Sequence, residues 1–428
     1  MRVFKVSKRG FYLSKHFKKD GKSMQNLDAP DVSRSANYRY QITIIGILFF
    51  VFGFVTWLNS ILISFFKQAF GLTNTSSYLV TFAFFISYTV MAIPSSWLLQ
   101  RTGFKKGMSY GLATMALGTL IFIPAANMVS YPFFLIGLFV IGIGLTILQT
   151  AANPYVTILG PAESAAQRIS FMGIANKVAG ILGQYIMGGI LLAGTAATSD
   201  DLGRVVNPYL VLTILLAGLA VLVLFSKLPD INAAEEPVVA GSVAKTSVWQ
   251  FPHLLLGVLA LFLYVGVEVI AGDTIINYGL SQGFSQEVSK HFTTYTLYGM
   301  LTGYVLGIFA IPKYITQQKA LQWSAILGVL LTLAALITTG FISVLCVALL
   351  GLANALMWPA IFPLAIAGLG KFTKIGSALL IMGIAGGALI PLVYGRLADS
   401  IGTQSAYAIA LPCYLFILYF SIRGWKAK

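Results

Sequence analysis

The sequence predicts an all-α membrane protein, with twelve transmembrane helices in two pseudo-symmetric six-helix bundles. Composition, the spacing of apolar runs and the likeness of the two halves predict it. Of 428 residues, 57% are hydrophobic and only 10% charged. A soluble domain of that length carries about a quarter charged residues. A spanning helix needs about 20 apolar residues, and about twelve such runs follow one another along the chain.

Residues 1–40 come first and are polar and basic. They read as a mostly disordered cytoplasmic tail, with a short amphipathic piece near Phe11 and Tyr12. The first apolar run is too long for the core of a signal peptide. Spans one to six are expected near 42–66, 78–100, 107–127, 131–158, 168–194 and 207–226, making an N-terminal bundle over 41–226. A polar linker, 227–250, holds Pro229, Glu235, Glu236, Pro237 and Lys245. Spans seven to twelve are expected near 253–280, 291–312, 319–339, 342–367, 374–395 and 405–423, making a C-terminal bundle over 251–428. Connections are mostly short, so successive helices run antiparallel.

Net charge is +15. In such a chain this reflects cytoplasmic loops rich in Lys and Arg. With the N-terminus inside, Arg101, Lys105, Lys106, Arg168, Lys227, Lys245, Lys313, Lys319, Lys371, Lys374 and both termini become cytoplasmic. Lys67, Arg204, Lys290 and Arg396 remain outside. No basic soluble domain exists to bind nucleic acid. Cys346 and Cys413 lie in apolar runs, and the three His residues form no spaced pair, so neither disulfide nor metal site is expected. HExxH, GxSxG and Walker signatures are absent, so an enzyme is not expected.

The halves align. FGFVTWLNSILI (52–63) lies over VGVEVIAGDTII (265–276), matching Gly53 to Gly266 and Ser60 to Asp273. Between LTILQTAANPYV (145–156) and LANALMWPAIFP (352–363), Asn153-Pro154 matches Trp358-Pro359 and Gln149 matches Asn354 when the second stretch is shifted by two residues. Parallel repeats of this kind place a substrate near the midplane between the halves.

Three charges fall within the spans: Lys177, Glu268 and Asp273. A charge at a helix centre costs roughly 2.5–3.5 kcal/mol on insertion scales, so each is a candidate for function. Lys177 lies nine residues past Arg168, about 13–14 Å into a core of about 30 Å. It needs a partner, and Glu268 or Asp273 must supply it. A Lys177–carboxylate pair either latches the bundles in one state or is a static bridge. Asp273 either carries coupling chemistry, or is wetted from outside, or caps its helix. Five residues apart, the two acids point about 140° apart on an ideal helix. Both can face one cavity only if the helix breaks, and Ala271-Gly272 is the expected break.

A small polar ligand at the midplane needs groups that both donate and accept hydrogen bonds, as Asn and Gln do. The candidates in central spans are Asn59, Gln149, Asn153, Asn176, Gln184, Asn277 and Asn354, with Trp57, Tyr155 and Trp358 as aromatic faces. Each can equally serve as interhelical glue, and Asn153 is expected to satisfy backbone freed by Pro154. Glycine-rich GILGQYIMGG (180–189) and GIAGGALIPLVYG (383–395) read as packing faces.

QRTGFKKG (100–107) resembles the loop signature of the major facilitator superfamily, with Gln100 where the signature has Asp. WLNSILISFFKQAFGLT (57–73) and LQTAANPYVTILGP (148–161) resemble the fucose–galactose–glucose symporter family. The resemblance covers the transmembrane region, more weakly in its C-terminal half. It implies the major facilitator fold and import of a hexose-type sugar by alternating access, usually coupled to protons. It also implies that Asn59, Gln149 and Asn176 face the cavity, and that Trp358 fills an aromatic position. The family has Asp where this chain has Ser60, and its fucose branch has Glu where this chain has Gln149. Asp273 is then the pseudo-symmetric counterpart of the missing acid.

The expectation is a secondary transporter with no cofactor, coupled to H+ or Na+. It is expected to be a functional monomer in the plasma membrane (the inner membrane if bacterial), with both termini cytoplasmic. Its partners are a small sugar and the lipid bilayer. An uncoupled sugar facilitator and a non-transporting membrane receptor are the alternatives.

Overall fold

The computed structural model describes residues 36–159, 165–194, 196–228, 247–311, 313–369 and 372–427. Most of the 1–40 tail and of the 227–250 linker therefore lies outside the described residues.

The first half holds α1 (Ala36–Thr56), α2 (Asn59–Ala69), the single turn α3 (Asn74–Ser77), α4 (Leu79–Asn127), α5 (Tyr131–Ile158), α6 (Ala165–Leu191) and α7 (Val206–Phe225). The second holds α8 (Pro252–Asp273), α9 (Ile275–Ser281), the turn α10 (Gln286–Ser289), α11 (Phe292–Ala310), α12 (Gln317–Ile337), α13 (Gly340–Asn354) and α14 (Met357–Ile366). It ends with α15 (Thr373–Met382), α16 (Gly386–Ile401), the turn α17 (Thr403–Ala406) and α18 (Ala410–Ile422).

Among the described residues, nine helical stretches are long and apolar enough to cross a membrane. One of them, α4, runs 49 residues with Gly103 at φ 76° inside it. At about 1.5 Å per residue it is far longer than a bilayer, so it supplies two spans. Only glycine takes that φ without strain, which explains how the short loop between spans two and three closes inside QRTGFKKG. Adding α6, of 27 residues, and α11, of 19, accounts for all twelve expected spans.

Within the first half α4 packs on α5 and α7, and α1 on α6. Within the second, α8 packs on α14, α16 and α18, and α13 on α11 and α12. Among the contacts between the halves, the two with the most extensive packing are related, α4 with α16 and α6 with α11. In span order these are two with eleven and eight with five, the same contact under the internal twofold. The glycine-rich run of span eleven lies at one of them: a Cβ on Gly395 would stand 2.6 Å from Cδ2 of Tyr78 in the other half.

At one end the halves are tied shut. Asp399 of α16 accepts hydrogen bonds from the backbone N–H groups of Asn74 and Thr75, both at 2.9 Å, and from Thr75 Oγ1 at 2.6 Å. Near the twofold-related place, Glu287 accepts from Gly194 N at 3.2 Å, and Gln286 donates to Leu192 O at 3.2 Å. Also toward this end, α2 meets α8 and α9. The opposite end carries the chain's C-terminus, where His253 N donates to Ala427 O at 3.1 Å.

Candidate functional site

Between the halves lies a cavity of about 540 Å³. Its walls come from spans one, two, four and five of the first half and seven, eight, ten and eleven of the second. Residues near the untied end, such as Ile169, Ile311, Gln317 and Pro363, line its mouth. The cavity is open at the end opposite the Asp399 closure.

Its charges are Lys177, Glu268 and Asp273. Lys177 Nζ lies 3.4 Å from Glu268 Oε1, with the two side chains 8% and 15% exposed. That pair bridges span five and span seven, and so bridges the halves. The same ammonium sits 4.3 Å from the centre of the Trp57 ring. Of the two acids that could serve Lys177, Glu268 is the one that does. Asp273 is buried at 3% exposure. No hydrogen bond or ion pair to its carboxylate is found among the described residues.

Both acids line one cavity, yet α8 runs unbroken through Ala271-Gly272 to Asp273 and stops only at Thr274. No break separates the two acids, so the expectation that one is needed for both to face the cavity fails; the helix is interrupted only after Asp273. Gly272 serves contact instead of bending: a Cβ there would stand 2.6 Å from Cζ3 of Trp57. Asp273, the last residue of α8, reaches the same cavity about one and a half turns beyond Glu268.

The polar groups divide. Gln149 lines the cavity and donates to the Tyr88 hydroxyl. Asn176 lines it too, accepting from Trp57 Nε1 at 3.4 Å, while its own Nδ2 is buried without a partner among the described residues. Asn153 is a lining residue as well. Trp358 lines the opposite wall, stacked on Phe362 with ring centres 6.0 Å apart and planes at 23°.

Asn59 and Asn277 do not line the cavity in this state. They are 1% and 5% exposed. Asn59 opens α2 and Asn277 lies in α9, and these two helices meet at the tied end. Asn277 accepts a hydrogen bond from Ser64 at 2.7 Å across that contact. Both therefore sit in the closure. Gln184 and Asn354 are likewise buried elsewhere: Gln184 donates to Trp57 O and to Ser60, and Asn354 accepts from Tyr414 at 2.9 Å. Tyr155 packs edge-on against Phe104, away from the cavity.

Sequence reasoning missed Phe49, Phe52, Thr56, Tyr88, Tyr264 and Tyr304, all lining residues. A signal existed. Phe49, Phe52 and Thr56 are spaced three and four apart, on one helix face, and Tyr264 lies four before Glu268. Among the described residues no group of three or more His, Cys, Asp or Glu could hold a metal ion.

A family model described as Major Facilitator Superfamily matches residues 45–372. The chain is 39% identical over 406 residues to a glucose/galactose transporter of Brucella abortus, covering 93% of this chain and 97% of that one. It is 28% identical over 414 residues to the L-fucose-proton symporter of Escherichia coli K12, covering 91% and 94%. The crystal structure of the transporter FucP in its outward conformation superposes with a TM-score of 0.70 at 29% identity, over 90% of this chain and 98% of that one.

Proposed function

The chain belongs to the Major Facilitator Superfamily, and from that premise we propose that it imports a hexose-type sugar by alternating access, driven by protons. The membrane is the plasma membrane, the inner membrane in a bacterium, and the termini face the cytoplasm. In that orientation the tied end is outside and the open end is the cytoplasmic mouth. One chain, containing both bundles, is the transporting unit.

A single observation carries the coupling: Asp273, buried and with no partner for its carboxylate among the described residues, shares a cavity with a paired lysine and glutamate. Lys177 and Glu268 engage one another, which leaves Asp273 as the acid of the cavity available to carry a proton. Lys177 and Glu268 compensate one another only while the halves hold them together. Separating them leaves two desolvated charges, which is costly. Asp273 carries the proton, and Lys177–Glu268 registers the state of the bundles. Gln149, Asn176 and Trp358 hold the sugar, the amides through its hydroxyls and the indole against its C–H face. The unpartnered Nδ2 of Asn176 supports this, since a buried unpaired donor is costly until a ligand accepts from it.

The test is uptake of labelled glucose, galactose and fucose into proteoliposomes, with pH, Na+ and voltage gradients imposed separately. Accumulation above equilibrium is expected under the pH gradient. Equilibration alone under every gradient would make the protein an uncoupled facilitator. No uptake of any monosaccharide would refute the sugar reading.

A further inference from the structure

Trp57 occupies the two-residue interruption between α1 and α2, and contacts from both halves converge on it. Its N–H donates to Asn176 Oδ1 at 3.4 Å. Its ring face takes the Lys177 ammonium at 4.3 Å. Its Cζ3 edge lies against Gly272, where a Cβ would come within 2.6 Å, and Gly272 immediately precedes Asp273. Its Cδ1 edge lies equally close to Gly180 of span five. Gln184 fixes its backbone carbonyl. Leu297, Met300 and Ala355 of the second half complete its apolar surroundings.

The indole thus touches a proposed sugar ligand, the lysine of the charge pair and the backbone beside the lone acid. Asn176 and Lys177 are neighbours in sequence and point different parts of one helix turn at it. The Lys177–Glu268 distance of 3.4 Å is long for a charge-assisted hydrogen bond. The ring face supplies part of what the ammonium lacks.

We infer that Trp57 is the positioning residue that couples sugar to proton: it relays movement of Asn176 and of Gly272-Asp273 to Lys177, and it holds the ammonium while the Glu268 pair opens. This rests on the proton-coupled reading above. A sugar that pulls on Asn176 competes for the amide that accepts the indole N–H. A change at Asp273 moves Gly272, against which the indole is wedged. Either event shifts the ring under Lys177. No other side chain touches all three groups among the contacts described.

The experiment compares two rates in proteoliposomes: sugar exchange at equal pH, and accumulation under an inward proton gradient. The ratio of accumulation to exchange reads coupling and cancels any loss of folded protein. Trp57→Leu, which removes both face and N–H, is expected to lower the ratio at least about tenfold, the scale of a desolvated cation–π contact. Trp57→Phe keeps a smaller face and is expected to lower it about threefold. Gly272→Ala crowds the indole and is expected to lower the ratio. Trp57→Phe/Gly272→Ala recovers toward Trp57→Phe, because the shorter ring leaves space for the methyl group. If both rates fall together with the ratio unchanged, Trp57 is only structural and the inference fails. A raised KM for sugar at unchanged ratio makes it a stacking platform, and the inference fails equally. A wild-type protein that exchanges without accumulating refutes the coupling reading itself, before any variant is compared.

Discussion

Span one and span seven are two copies of one element, and they treat equivalent residues differently. Ser60 is fully buried, donates to Trp57 O at 3.3 Å and accepts from Gln184 at 2.9 Å. Asp273, its counterpart, lines the cavity and keeps its carboxylate free of partners among the described residues. The interruptions differ as well. Span one breaks at Trp57-Leu58, before the aligned position, whereas span seven breaks at Thr274, just after it. Span one thereby turns an indole into the space that span seven leaves over Gly272. The difference teaches that duplication preserved the site and redistributed its chemistry. The acid sits in the copy where the helix ends at the cavity, and the serine sits where it can be satisfied locally.

The largest expected effect breaks this comparison directly. Adding the acid back to span one, as Ser60→Asp in an Asp273→Asn protein, should not restore proton-driven accumulation. The deficit in the accumulation-to-exchange ratio stays at about a hundredfold, because position 60 faces Gln184 and Trp57 O in place of the cavity. Recovery to within threefold of wild type would show that the two copies are interchangeable.

Next in size is Lys177→Ala. It leaves Glu268 buried and unpaired, a cost of about 3–5 kcal/mol in states where the cavity stays dry. Uptake per folded molecule, normalised by size-exclusion yield, should fall at least about tenfold. Equal uptake per folded molecule would reduce the pair to a static bridge.

Much of this was legible in the sequence. Span positions followed from apolar length, and the internal repeat followed from two aligned stretches. Lys177, Glu268 and Asp273 stood out because charge amid hydrocarbon is rare, and all three reach one cavity. What could not be read was register along the axis. Asn59 and Asn277 have the right chemistry but lie past the helix interruptions, in the closure. The break itself was assigned to Ala271-Gly272 because glycine permits bending, whereas Gly272 is needed for close approach by an indole 215 residues away in the chain. A partner that distant leaves no local pattern. Gln149, Asn176 and Trp358 came from motif resemblance, which carries orientation that composition lacks.

Smaller effects test the tied end. Asp399 accepts three hydrogen bonds from the other half. The carboxylate is near the surface, so its loss in Asp399→Ala should cost only about 1 kcal/mol, or about a fivefold shift in population toward outward opening. Alkylation of a cysteine placed at the buried Ser77, in a background with Cys346 and Cys413 replaced, should speed up by about that factor. An unchanged rate would remove Asp399 from the closure.

Least of all, Glu287 gives the closure an acid limit. Its carboxyl is held below the ordinary range by its hydrogen bond with Lys290, by the Gly194 N–H, and by the charges of Lys290 and His291. With the folded value lowered, its contribution is full above the ordinary carboxylate range and is lost as pH falls through the lowered value. Glu287→Gln should reduce that acid dependence of labelling, leaving the part carried by Asp399, and change labelling at neutral pH less than Asp399→Ala does. The same acid dependence in the variant would assign it elsewhere.

The central claim is that the proton rides on Asp273. Sugar-driven proton movement, followed with a pH dye trapped in proteoliposomes, tests it most directly. Adding sugar outside should acidify the lumen of wild-type vesicles in step with uptake, and Asp273→Asn should carry sugar with no accompanying proton. Acidification per sugar equal to wild type in Asp273→Asn would contradict the account.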